Sequence, residues 1–198
     1  VISVPFSKIS IKEVTGGLIK GQNIDNMFNQ LTLGYHDSID FNELPIPYAC
    51  VAEDIVTGKE YDFHQGELAT AMRASMAIPG VFTPVRLDSM VLVDGGTINN
   101  FPVNVAKRMG ADIIIGIDVQ SNLKPSSELE STGDILGQLI NLMGQDMYEK
   151  NLKETDIYIK VNVEGYSAAS FTQSAIDTLI LRGKEAASKQ LLELKVLK

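Results

Sequence analysis

The run Ile113-Ile114-Ile115-Gly116-Ile117 constrains the fold more than any other stretch of the chain. It has no polar position, so both of its faces call for apolar cover, as in a central parallel strand flanked by helices. Helical patterns alternate with short apolar runs elsewhere too. This predicts an α/β fold, three layers deep (α/β/α), on a mostly parallel sheet. Asn23 to Leu33 reads as a helix with Ile24, Met27, Phe28 and Leu31 on one face. Pro45 to Ile55 is strand-like, and Thr57-Gly58 turns it into a second strand, Glu60 to Phe63. Glu67 to Ala77 is a helix of small side chains stopped by Pro79-Gly80, and Met90 to Val93 is a short buried strand ending on Asp94. Pro102 opens a helix that closes at Gly110. After the polar stretch Gln120 to Gly133 come a long helix (Ile135 to about Asn151), a strand (Ile157 to Val163) and a last helix (about Gln173 to Leu192). There is no internal repeat, and no domain boundary is visible.

Composition narrows the function. The chain has 198 residues, 44% hydrophobic and 21% charged, as expected of one globular domain with a substantial core. A net charge of −8 with no basic run excludes a nucleic-acid partner and argues against docking on anionic membranes through charge alone. No apolar stretch approaches the roughly 20 residues of a membrane span. The lone Cys50 sits in an apolar run and reads as a buried thiol. No secretory leader is visible, and Val1 is not a natural start, so the sequence reads as beginning within a longer protein.

The residue with the strongest catalytic signature is Asp94. It ends a buried strand, where active sites of α/β sheets gather, and precedes Gly95 and Gly96. The two glycines permit positive φ and leave no Cβ to obstruct a neighbouring backbone or substrate. Asp-Gly is also a common surface turn, so the motif gains weight only from its surroundings.

Those surroundings are extensive. The block from Gly66 through Arg73 and Pro79-Gly80 to Val85 leads into Leu92-Val93-Asp94-Gly95-Gly96, then Asn99-Asn100-Phe101-Pro102-Val103 and Met109-Gly110-Ala111-Asp112. Upstream stand Leu44-Pro45-Ile46-Pro47 and Val51 to Gly58, and downstream Leu181-Arg182-Gly183-Lys184-Glu185-Ala186-Ala187. In order and spacing this resembles the C-terminal part of a bacterial patatin-like phospholipase domain, over nearly the whole chain. The resemblance implies a Ser-Asp dyad acyl hydrolase acting on phospholipids, lysophospholipids or simpler acyl esters. Asp94 would be its proton acceptor within the Asp94-Gly95-Gly96 motif. It implies no cofactor, no metal and no histidine, so His36 and His64 are expected to be structural. Contact with a membrane surface would come through the substrate, in the cytoplasm or at a membrane.

The nucleophile of such a dyad sits in a G-x-S-x-G elbow, and no serine of this chain has glycine two places to either side. Gly165-Tyr166-Ser167-Ala168-Ala169 comes nearest but lacks the second glycine and follows Asp94, which fits neither the dyad nor the α/β-hydrolase order. Gly16-Gly17-Leu18-Ile19-Lys20-Gly21 mimics an oxyanion loop but reads better as a loop leading into a helix, and Ser121/Lys124 is an S-x-x-K match of a kind that arises by chance. Asp54 organises the turn before Thr57-Gly58; Asp112 and Asp118 read as loop-solvated or capping residues, and Arg73 as a solvated side chain. The expectation is therefore a domain whose N-terminal part, with the serine, is missing. Its uncovered apolar strand and small-residue helix (Ala69, Ala71, Ala74, Ala77) should drive self-association or retention of an N-terminal fragment. The rival readings are a non-catalytic binding or regulatory module of the same fold and an α/β hydrolase using Ser167.

Overall fold

The computed structural model describes residues 21–167, 170 and 172–197. They fall into two compact units, Val1–Asn100 and Phe101–Lys198. The predicted glycine loop at residues 16–20 lies outside the described residues, as do Ala168 and Ala169 beside Ser167. No described helix is long and apolar enough to cross a membrane.

The first unit holds helix α1 (Gln22–Leu31), strands β1 (Ile39–Asp40), β2 (Cys50–Asp54), β3 (Lys59–Phe63) and β4 (Gln65–Gly66), helix α2 (Leu68–Ser75), and strands β5 (Val85–Leu87) and β6 (Met90–Asp94). Four strands form one sheet in the order β3-β2-β6-β5, and β1 pairs with β4. Every pairing here is antiparallel, against the expected mostly parallel sheet. For β2–β3 and β5–β6 short connections are the physical reason, because parallel neighbours need a crossover of a dozen residues or more. The β2–β3 turn is closed by Gly58 at φ 65° and by Asp54, whose carboxylate accepts from Thr57 Oγ1 (2.8 Å), Val91 N (3.1 Å) and Val56 N (3.2 Å). The Thr57 bond leads in holding the Asp54 carboxyl below its usual range. The β5–β6 turn uses Asp88 at φ 52°, the left-handed conformation Asp tolerates better than most residues.

Beneath this sheet lies a core of Phe41, Ala52, Leu92, Ala71 and Ala74, all fully buried. The small-residue face of α2 is thus already covered, with Ala69 and Ala77 also buried, contrary to the expectation of an open surface there. Small side chains let the helix approach the sheet closely. Arg73 is buried as well, its Nε 3.1 Å from Asp25 Oδ1 of α1, its Nη2 donating to Thr83 O (3.0 Å), and its guanidinium over the Phe82 ring. Gly21, at φ 81°, begins α1 and leaves room for that guanidinium, which a Cβ would meet at 2.7 Å.

The second unit holds α3 (Val103–Arg108), β7 (Ile115–Asp118), α4 (Thr132–Met143), α5 (Gln145–Lys153), β8 (Ile157–Lys160), α6 (Gln173–Lys189) and α7 (Leu191–Val196). Here β7 and β8 do pair in parallel, joined by α4 and α5 as in a βαβ unit. The predicted single helix to Asn151 is two, because Gly144 (φ −86°, ψ 0°) leaves helical geometry between them. Ser131 and Asp134 start α4 with a capping box.

Strand β7 is covered on one face only among the described residues. Ile114, Gly116 and Asp118 are buried, whereas Ile113, Ile115, Ile117 and Val119 are exposed. On the covered face Phe101 lies over Gly116 and contacts the Tyr148 and Tyr158 rings at 5.6 and 6.1 Å. Asn151, nearly inaccessible, donates to Phe101 O at 2.8 Å and fixes the start of α3. A Cβ on Gly116 would sit 2.8 Å from Thr155 Cγ2 and closer still to the Phe101 ring. Gly116→Ala should therefore destabilise the chain by about 1–3 kcal/mol through overpacking, read as a lower urea midpoint at unchanged slope.

Candidate functional site

Asp94 ends β6, an interior strand of the antiparallel sheet, opposite Ala52 of β2. Its N–H donates to Ala77 O at 3.1 Å, which ties the strand end to the segment after α2. Gly95–Thr97 then form a single 3-10 turn, and the Asp94 carboxylate caps it by accepting from Gly96 N at 2.7 Å. Desolvation by burial pushes the Asp94 carboxyl above its ordinary range, and the Gly96 N–H only partly offsets it. No lysine or arginine among the described residues forms an ion pair with it. A carboxylate left with one backbone donor and partly removed from water is a stronger base than a free one, as proton abstraction from an alcohol requires.

The two glycines serve this geometry through their missing side chains. Neither adopts a positive φ, so what they contribute here is the absent Cβ. A Cβ on Gly95 would fall 2.6 Å from the carbonyl carbon of Val51, inside the neighbouring strand's backbone. A Cβ on Gly96 would lie 2.8 Å from Asn100 Oδ1 and 2.9 Å from Asp94 Oδ1, in the space beside the carboxylate. Glycine at 95 lets the turn close onto β2, and glycine at 96 keeps the approach to Asp94 clear.

Sequence reasoning missed the side chains that hold this turn. Thr97 is buried; its Oγ1 lies 2.7 Å from Asp94 O and also bonds to the Glu53 carboxylate of β2. The buried Asn99 donates to Glu60 Oε2 of β3 at 2.7 Å. A usable signal existed: Glu53 is a charge that follows the apolar Cys50-Val51-Ala52 within one strand, which calls for a partner.

Other sequence candidates fall elsewhere. His36 is exposed beside Asp37, and His64 is half-buried with its carbonyl accepting from Phe41 N. Cys50 is the buried thiol expected; burial, against hydrogen bonds with Tyr48 and Ser75, pushes its pKa up to about 11. Ser167 is exposed, its N–H donating to Ser170 Oγ at 3.0 Å. Lys124 pairs with Asp134. Asp112 is solvated as expected, but Asp118 is fully buried, correcting the loop assignment. Its Oδ2 accepts from Tyr158 Oη (2.6 Å), Tyr148 Oη (2.8 Å) and Lys160 Nζ (2.8 Å), and its Oδ1 from Gln120 N (2.7 Å). Burial alone would raise this carboxyl; the bonds from Lys160 and Tyr158 outweigh it and hold it low. Asp118 is thus spent on structure, whereas Asp94 keeps basicity. Among the described residues, no three His, Cys, Asp or Glu side chains converge as a metal site.

Residues 14–107 match the family model described as patatin-like phospholipase. An uncharacterised NTE family protein of Mycobacterium tuberculosis is 38% identical over 93 residues, 46% of this chain and 26% of the relative. A second from that organism is 32% identical over 109 residues, covering 55% and 18%. Mouse patatin-like phospholipase domain-containing protein 7 is 34% identical over 111 residues, covering 55% and 8%. The chain thus spans about a quarter or less of these relatives.

The raised Asp94 carboxyl has a consequence for stability. A folded-state pKa above the unfolded one means that its contribution to stability is present in acid and lost as pH rises through the folded value. Asp94→Asn keeps an oxygen for Gly96 N and removes the buried charge. It should raise Tm at neutral pH, with the gain fading as pH falls through the raised folded value and gone below the ordinary carboxylate pKa of about 3.9. Thermal melts of both forms across that range check the sign.

Proposed function

We propose that this chain, whose residues 14–107 match the patatin-like phospholipase model, supplies the aspartate half of a Ser-Asp dyad in a lipid acyl-ester hydrolase. The observation that carries the reading is the Asp94 carboxylate at a strand end, desolvated, without a cationic partner among the described residues and followed by two glycines. In the reaction a serine hydroxyl loses its proton to Asp94 as its oxygen attacks the ester carbonyl. The alkoxide leaves with that proton; water, deprotonated by the same carboxylate, then attacks the acyl-serine, and the serine oxygen leaves with the proton from Asp94 as the acid is released. The serine is supplied by protein outside this sequence, completing a three-layer α/β/α domain. The substrate class is a phospholipid, lysophospholipid or simple ester, and membrane contact follows from the substrate. One observation favours a second reading, a non-catalytic module of the same family: no G-x-S-x-G is present in these residues. The coding sequence upstream of Val1 separates the two.

In the intact protein, Asp94→Asn should lower kcat by about 10²–10⁴-fold with the fold retained, as loss of a general base does. Turnover near that of the parent would reduce Asp94 to a turn residue. The chain alone should release no fluorophore from a short-chain ester above background; turnover abolished by Ser167→Ala would instead favour the α/β-hydrolase reading.

The exposed Ile113, Ile115, Ile117 and Val119 also support a partner. Either a second copy or a retained N-terminal fragment covers them. Light scattering with intact mass spectrometry should find one or the other, and a monomer of single mass that binds no apolar dye would refute both.

A further inference from the structure

The second unit contains a cleft of about 510 Å³ at the carboxyl ends of β7 and β8, between the segment after Asp118 and the segment after Lys160. Its volume lies within the roughly 300–1,000 Å³ of small-molecule sites, and strand carboxyl ends are where parallel pairs place them. Both walls are pinned. The Gln138 amide bonds Lys124 N (3.0 Å) and O (3.2 Å) on one side. On the other, Arg182 donates to Asn162 O (3.1 Å) and Glu164 O (2.8 Å) and lies over the Tyr166 ring at 5.0 Å. The shape therefore does not depend on an occupant.

Two donors at the cleft await acceptors. Gln120 Nε2 is buried without a hydrogen-bond partner among the described residues, and Gln120 lines the cleft. Lys160 Nζ gives two of its three protons to Asp118 Oδ2 and Gln120 O, each at 2.8 Å, and its side chain is 37% exposed. The charge balance excludes an anion as the acceptor. Lys160 and Lys124 are already neutralised by Asp118 and Asp134, whereas Glu128 and Glu164 also line the cleft. A second negative charge would meet net repulsion. A hydroxyl both accepts from donors such as Gln120 and Lys160 and donates to carboxylates such as Glu128 and Glu164. Leu123, Val161 and Val163 add an apolar strip.

We infer that this cleft binds an uncharged polyol joined to a short apolar segment. The polyol is the glycerol end of a lipid or a sugar, and the site stands whether or not Asp94 is catalytic. The test is calorimetric titration of the whole chain with 1-O-butylglycerol, which no esterase can cleave, and in parallel with butyl glucoside, butyrate and inorganic phosphate. Saturable binding of a butyl polyol but not of the anions is expected, the tighter of the two naming the source. Gln120→Leu should weaken it about tenfold, the worth of one buried hydrogen bond. The same variant removes an unsatisfied buried donor, so its Tm should stay level or rise, whereas a purely structural glutamine would lower it. Tyr166→Ala, which strips one wall, should also weaken binding. No heat with either polyol, equal binding of butyrate or phosphate, or an affinity indifferent to both variants would overturn the assignment.

Discussion

The approach of Gly95 to the carbonyl of Val51 is the contact on which the first unit depends. With no room for even one methyl group at that point, the chain after β6 turns tightly against β2. That turn presents Gly96 N to the Asp94 carboxylate and brings Thr97 to Glu53, and it lets Asn99 reach Glu60 on β3. Side chains from two other strands thus fix where one carboxylate points. The acid itself is held by its own backbone, which leaves its charge unanswered.

The contrast between the two strand-end aspartates shows how environment divides one residue type into two roles. Asp118 is the more deeply buried, yet four donors keep it ionised. Each phenol has one proton and both give it to Asp118, so the 3.0 Å contact between Tyr148 and Tyr158 is a consequence of their shared acceptor. Asp94 is less buried but has a single donor, so desolvation prevails. Donor count, more than depth, decides which carboxylate remains basic.

Local rules made most elements legible in the sequence. The Thr57-Gly58 turn, the Pro102 to Gly110 helix and the small-residue helix before Pro79-Gly80 all formed near their expected bounds. The Asp94 motif was legible for the same reason, since strand, acid and glycines are contiguous. What sequence pattern could not reveal is pairing. Strand direction followed the tight turn at Asp88, which no motif announced, and the Thr97–Glu53 contact joins residues far apart along the chain. Asp118 was misjudged because its partners Tyr148, Tyr158 and Lys160 arrive only once α4 and α5 have carried the chain across to β8. Arg73 was misjudged likewise, its partner Asp25 lying on another helix.

The parallel register of β7 and β8 sets Asp118 directly beside Lys160. Side chains alternate along a strand, so sliding β8 by one residue would carry the ammonium to the opposite face. The carboxylate would then be left in the interior without its cation, at a cost of several kcal/mol. An apolar ladder of isoleucines matches almost equally well in several alignments and cannot discriminate among them. The ion pair at its end makes the distinction: only one alignment of the two strands closes the circuit of charge.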